Sequence, residues 1–451
     1  MSTCIAVRQA ATRSFVLLLL SACGLLIAAS PSLALADGKT TSIPDTPAGR
    51  ALGSWLLAFD SGDRTRIDSF DKVHYPWWPL DDAMALRAHS GGYDLLSIDS
   101  GGKLWITFRV RARAGASRTL GKLVLDSSNP EIVYALWLMP PVTDSHPFVL
   151  DPAERERVVA SAARLLEELY VFPDVGKRMA TVLRSAEQRG AYRDITDGQV
   201  FALRLHDDLQ AVTHDEHLGL HFSEQVVLQD DAGQHHESDA ASRQRVLSSN
   251  CGFEKVEHLS PNIGYLKVDE FDDPVTCAPI AAAAMNFLAN SDALIIDMRD
   301  NHGGRGLSII DYLFAKPTHF MDTYMRQAHA IHEGWTSPHV LGKKFVGKPV
   351  FVLTSRRTFS AGEAFCYALK TLRRATLIGE TTGGGAHPME VHRIDDHFSI
   401  SVPVGQSISP ITHTDWEGTG VEPDFEVPAS EALDEALRRA RDLSRNHPQS
   451  P

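Results

Sequence analysis

Beyond its first 36 residues this chain of 451 has no apolar run of membrane-spanning length, which excludes a multi-span membrane protein. Cysteine is scarce. Of the five, Cys4 and Cys23 lie in that first segment, and the remaining Cys251, Cys277 and Cys366 are too few for a disulfide-built scaffold. Positive charge is also short, with 44 Lys and Arg against 57 Asp and Glu, a net charge of −13. That balance excludes functions that need a broad basic face, so neither nucleic acid nor an anionic membrane is expected as a partner. No internal repeat is present. The glycine run 383–385 has no G-K-[ST] after it, so it is not a phosphate loop.

What is present is an ordinary globular composition, 43% hydrophobic and 22% charged, in a chain long enough for two or three domains. Residues 1–36 carry Arg8 and Arg13, no acidic residue, the apolar stretch 15–27, and Ala34-Leu35-Ala36 before Asp37. This pattern predicts a secretory signal cleaved after Ala36, and so an exported, periplasmic or extracellular protein with no membrane span in its mature chain. Leu20-Ser21-Ala22-Cys23-Gly24 resembles a lipobox and offers the alternative of a lipoprotein anchored at Cys23. Export permits one disulfide, for which Cys251 and Cys277, flanking "NIGYLKVDEF", are the predicted pair.

Residues 37–148 read as an α+β domain. Leu52, Trp55, Leu56 and Phe59 fall at i, i+3, i+4 and i+7, a helical stripe, and Ile106, Phe108 and Val110 alternate with polar residues in the first of several strands. "LGSWLLAFDSGDRTRIDSF" resembles the opening of domains of the nuclear-transport-factor-2-like (NTF2-like) class. Residues 149–222 form a helical subdomain, opened by Asp151 as cap, Pro152 at the first helical position and Glu154 closing the box, and ended by the short strand "HLGLHFS". A polar linker is predicted over 223–250. From 251 to 430, buried strand runs such as "ALIIDMR" and "PVFVLTS" alternate with helical segments, the pattern of an α/β domain. A charged helix and polar tail complete 431–451.

In "PVFVLTSRRTFSAGEAF", Ser360 follows a buried strand and opens a helix. S-x-x-E from Ser360 to Glu363 is a capping box, so a cap suffices to explain the serine. The same position favours developing negative charge, because free N–H groups and the positive end of the helix dipole meet there. The choice between cap and nucleophile therefore turns on whether a base, an orienting acid and oxyanion donors exist.

"NIGYLKVDEF", "ALIIDMRDNHGG", "TSRRTFSAGEAF", "LIGETTGGGAHP" and "WEGTGVEPDFEV", in this order, with "LLEELYVFPDVGKRMA" and "LQAVTHDEHLGLHF" upstream, resemble the S41 serine peptidases over residues 150 to 430. Within that family the chain is similar to the branch of the tricorn core and interphotoreceptor retinoid-binding protein. The resemblance implies a crotonase- or ClpP-like α/β catalytic domain behind the helical S41 subdomain and the NTF2-like domain. The processing-peptidase branch places a lysine 25 residues after its serine. Here that residue is Gly385, and Lys370, the only lysine after Ser360, lies about three turns along the predicted helix, out of reach. No stretch resembles that branch's PDZ module.

The tricorn-like pattern implies His217 of "DEH" as base, with a pKa suited to the task, and Glu417 of "WEGTG" as the acid behind it. It implies Gly303 or Gly304, with the N–H of Ala361, as oxyanion donors. The family's serine before the base is Glu216 here, which leaves open whether Glu417 or Asp215 orients His217. His214, Asp215, His217 and His221 offer metal-ligand types, but without helical spacing or H-E-x-x-H no metal and no cofactor is expected. The expected function is an exported serine-type peptidase acting on peptides or proteins by an acyl-enzyme. The alternative is a lipid or retinoid-like carrier on the same fold.

Overall fold

The computed structural model describes residues 41–446 apart from 76–77, 79, 116, 127–128, 140–147, 225 and 228–238. The predicted signal segment and lipobox lie outside these residues. The chain divides into two compact units at Phe148.

The first unit begins with α1 (Pro47–Asp60), α2 (Arg64–His74) and α3 (Leu80–Ser90). A four-stranded antiparallel meander follows, of β1 (Tyr93–Gly101), β2 (Trp105–Ala112), β3 (Arg118–Leu125) and β4 (Val133–Leu138). The stripe Leu52, Trp55, Leu56, Phe59 is buried against Ile106, Phe108 and Val110, each fully enclosed. Helical period 3.6 and strand period 2 thus meet in one core, as the sequence predicted.

The second unit opens with α4 (Pro152–Leu169), whose N-cap Asp151 accepts the Glu154 N–H at 2.8 Å. It continues through α5 (Pro173–Gln188), α6 (Gly198–Thr213), β5 (Gly219–Phe222) and α7 (Asp239–Ser248). The last is a correction: residues 239–248, expected to continue the linker, are helical. The α/β part comprises β6 (Phe253–Leu259), β7 (Ile263–Val268), α8 (Pro274–Leu288), β8 (Ala293–Asp297), β9 (His319–Met325), β10 (Ala330–Trp335), β11 (Val350–Thr354), α9 (Ala361–Thr371) and β12 (Thr376–Gly379). After these come β13 (Met389–Arg393), β14 (Phe398–Pro403), β15 (Gly405–Ile408), β16 (Phe425–Glu426) and α10 (Ala432–Asn446).

The main sheet has the order β16-β12-β11-β8-β7-β6, parallel except for β6 against β7. Its central strands β8 and β11 are buried on both faces. Leu294, Ile296, Val350 and Val352 face one core with α8 and α9, while Ile295, Phe351, Leu353 and Ile378 face the other with α10. Ala432, Ala436 and Ala440 have no exposed surface, so α10 belongs to the packed domain and does not start a tail.

A smaller sheet, β13-β14-β5, crosses the expected boundary between subdomains: β5 pairs antiparallel with β14, and Phe398, Ile400 and Val402 enter the core of α4, α5 and α6. A third sheet has the order β10-β9-β15. Cys251 and Cys277 form the predicted disulfide, tying the start of β6 to α8. Among the described residues no helix is long and apolar enough to cross a membrane.

Candidate active site

The loops leaving the carboxyl ends of β8 and β11, adjacent parallel strands, meet where open α/β sheets form their clefts. From β11 the chain turns through residues 355–359, pinned by the Thr358 hydroxyl on Met298 O (2.8 Å) and the Phe359 N–H on Asn301 O (2.9 Å). Ser360 follows with φ 53° and ψ −120°, a strained conformation for a residue with a Cβ. It caps α9 at the backbone level, and its own N–H donates to Glu363 Oε2 at 2.9 Å.

Its hydroxyl lies elsewhere: Ser360 Oγ is 3.0 Å from His217 Nε2. His217 comes from the turn after α6, where His214 ends the helix in a left-handed conformation (φ 54°) and Gln210 Nε2 grips the carbonyls of Asp215 and Leu218. The imidazole is buried, lies 4.8 Å from the Phe359 ring centroid, and touches the glycine run. A Cβ on Gly385 would come within 2.7 Å of His217 Cε1. Burial pushes the His217 pKa down to about 4 against the opposing pull of Asp215, so at neutral pH the ring is neutral and able to take a proton.

Asp215 is buried and saturated. Its Oδ1 accepts the His217 backbone N–H at 3.1 Å, and its Oδ2 accepts Tyr170 O–H at 3.0 Å and His387 Nδ1–H at 2.7 Å. It therefore holds the backbone of His217, whose ring Nδ1 is buried with no hydrogen-bond partner.

Glu417 departs from expectation. Its Oε2 accepts the Ala386 N–H at 2.6 Å and lies 3.5 Å from His387 Nδ1, while Oε1 is buried without a partner. It meets His387, not His217. Burial and then the Asp215 charge push Glu417 up to about 7. Burial pulls His387 down, but its bond to Asp215 and the charges of Asp215 and Glu417 outweigh that and raise it. His387 Nδ1 thus lies between the two acidic groups, 2.7 Å from Asp215 Oδ2 and 3.5 Å from Glu417 Oε2.

The oxyanion candidates divide. Gly303 lies against Ser360, where a Cβ would be 2.7 Å from Ser360 Cβ, but its N–H donates to Asn301 Oδ1 at 3.0 Å. That bond takes Gly303 out of the donor role. Gly303 O accepts from Phe271 N–H (2.7 Å), and a trans peptide points its N–H the opposite way, so the Gly304 N–H faces away from Phe271. Ala361 is the first residue of α9, where an N–H has no partner within the helix.

The four residues weighed as zinc ligands do not converge: His221 Nε2 is 2.7 Å from Ser401 Oγ, and His217 faces Ser360. The group among the described residues whose donor atoms do converge, within 4.8 Å, is Asp215, His387 and Glu417. Its 2.7 Å Nδ1 to Oδ2 contact has the length of a charge-assisted hydrogen bond. Lys370 Nζ is engaged with Glu422 O at the far end of α9.

Sequence reasoning missed His387 and the reach of Glu363. The only signal for His387 was its place two residues after the glycine run.

The family model described as "Peptidase family S41" matches residues 262–427, and the one described as "N-terminal domain of Peptidase_S41 in eukaryotic IRBP" matches residues 153–250, together more than half of the chain. The chain belongs to peptidase family S41. Among its curated S41 relatives, carboxyl-terminal-processing peptidase 2, chloroplastic, of Arabidopsis thaliana is 31% identical over 179 residues, 39% of this chain and 34% of the relative. The putative tricorn protease homolog 2 of Streptomyces coelicolor is 31% identical over 166 residues, 35% of this chain and 13% of the relative. The chain thus spans about a third of the length of the first of these relatives. Among solved structures, a lipoprotein from Streptococcus agalactiae superposes with a TM-score of 0.46 at 16% identity, covering 65% of this chain and 98% of that one. Against the S41 pattern stated above, Glu216 in place of the serine before the base is exposed.

Proposed function

We propose that this chain is an exported serine-type peptidase that hydrolyses peptide bonds through an acyl-enzyme. The observation that carries the reading is the 3.0 Å contact between Ser360 Oγ and a neutral, buried His217 Nε2 at the start of a helix. In the first step Ser360 Oγ attacks the scissile carbonyl carbon as its proton passes to His217 Nε2. The oxyanion forms beside the N–H groups of Ala361 and Gly304. Collapse of the tetrahedral species breaks the C–N bond, and the leaving amine takes the proton from His217. Water, deprotonated by His217, then attacks the acyl carbon, and collapse breaks the bond to Ser360 Oγ, which recovers the proton from His217 as the acid leaves.

Asp215 stabilises the imidazolium by its charge and holds the His217 backbone. Glu417 acts one step further back, on His387. Export is supported by the arginine-then-apolar opening of the sequence and by the Cys251–Cys277 disulfide, which needs an oxidising compartment.

The test is to incubate the protein with a fluorophosphonate probe, map the adduct, and assay a peptide library. Labelling of Ser360 and hydrolysis lost in Ser360→Ala are the expected results. A folded chain that neither labels nor cleaves, but takes up a lipid or retinoid, would replace the peptidase with the carrier.

A further inference from the structure

Glu363 is buried without exposed surface, one turn into α9, and four donors converge on its carboxylate. Oε2 accepts the Ser360 N–H at 2.9 Å and the Gly385 N–H at 2.8 Å; Oε1 accepts the Gly384 N–H at 2.7 Å and the Thr382 hydroxyl at 2.5 Å. The direction of the last bond is fixed, because the Thr382 oxygen accepts the Val421 N–H at 2.7 Å and so spends its proton on Glu363. A helix cap uses one of these four bonds. The other three tie α9 to the run 382–385, which packs on the base: Gly385 leaves no room for a Cβ between the Phe359 ring (2.3 Å) and His217 Cε1 (2.7 Å).

We infer that Glu363 is a positioning residue for the reaction, an ionised clamp that fixes the strained backbone of Ser360 and the glycine wall behind His217 in one unit. The inference rests on the peptidase reading for its catalytic consequence, but not for the clamp itself. Only an ionised carboxylate satisfies the arrangement. Protonated, it would present an O–H to a ring of donors with nothing to accept it. Burial pushes Glu363 up to about 7, opposed by the four bonds. The groups facing it from the 382–385 run are uncharged donors, and Cys366, farther along the same helix, is a titratable neighbour on which its charge acts. The clamp therefore closes as pH rises through about 7 and opens below it.

Two measurements test this, one of which needs no catalysis. Hydrogen exchange should show the amides of Ser360, Gly384 and Gly385 protected at pH 8. Protection, corrected for intrinsic rates, should fall below pH 7 and at all pH values in Glu363→Gln. Amides equally protected in the variant and across this pH range overturn the clamp, whether or not the chain is a peptidase. In peptide hydrolysis, Glu363→Gln should lower kcat on the order of 10²-fold with KM little changed, the scale expected when reacting groups shift by about an ångström. It should also abolish the acid limb near pH 7. A variant that loses melting temperature but keeps wild-type kcat and pH profile overturns the positioning role. If Glu363→Gln does not fold, Thr382→Val, which removes one donor, should move the acid limb to higher pH, and Thr382→Ser should restore it. An unmoved limb counts against the clamp.

Discussion

Which acid supports the base is the question on which sequence and structure part, and a pair of substitutions decides it. Asp215→Asn keeps the size of the side chain and an oxygen for the His217 backbone N–H. It places an amide N–H₂ against His387 Nδ1–H, where a carboxylate oxygen stood at 2.7 Å. It also removes the charge that pulls His217 toward its protonated form, the form the transition state requires. Breaking a buried charge pair by removing one partner costs about 3 to 5 kcal/mol. Some of that cost falls on stability; a loss of about 3 kcal/mol from the transition state would lower kcat roughly 10²-fold.

Glu417→Gln is expected to be milder. Glu417 sits at about 7 and so is partly protonated at assay pH, and a glutamine oxygen still accepts the Ala386 N–H. Less than a tenfold loss in kcat is expected. The assay is kcat and KM at pH 7.5 on a fluorogenic peptide, with circular dichroism to confirm folding. If Glu417→Gln abolishes turnover while Asp215→Asn retains it, the assignment of Asp215 as the nearer support of the base is refuted.

Gly385→Ala forces a methyl group against both Phe359 and His217. It should cost about 1 to 3 kcal/mol by overpacking and reduce kcat by at least about tenfold, read by melting temperature and turnover together. In the first unit, Asp71 is pushed up to about 7 by burial and then by Asp68, and its Oδ2 has no hydrogen-bond partner. The fold favours the protonated form, a contribution complete below pH 3.8 and lost as pH rises through about 7. Asp71→Asn should therefore raise the melting temperature of this unit at pH 8 and leave it nearly unchanged at pH 3.5. Replacing Cys251 and Cys277 together by Ser opens a link across 26 residues and should cost roughly 3 to 4 kcal/mol, measured by urea unfolding.

Much of this arrangement was legible in the sequence because it is local. The Leu52 to Phe59 stripe, the Asp151 cap, the apolar runs 293–296 and 350–353 of β8 and β11 and the strand-turn-helix around Ser360 all follow from periodicity and capping over a few residues. His217 was reached through its motif. What escaped depends on pairings across long separations. His387 meets Asp215 across 172 residues, a contact no local pattern encodes. Glu363 presents the same S-x-x-E whether it caps one N–H or holds four donors. Gly303 and Gly304 are indistinguishable as letters, and only the side chain of Asn301 separates their roles. The domain boundary drawn at 222 failed for a related reason: β5 finds its partner in β14, on the far side of the catalytic strands.

The three alanines of α10 set a practical limit on how this protein is handled. The S41 match ends at residue 427, and an expression clone trimmed there would discard the helix whose Ala432, Ala436 and Ala440 cover Ile295, Phe351, Leu353 and Ile378. Such a clone should yield sticky, poorly soluble material, since it bares the rear of the sheet whose strand β11 leads to Ser360. Because the ridge is built from the smallest side chain that still favours a helix, the helix lies close to the strands. A single Ala436→Leu should lift it away, and the untrimmed chain would then lose solubility as the trimmed one does.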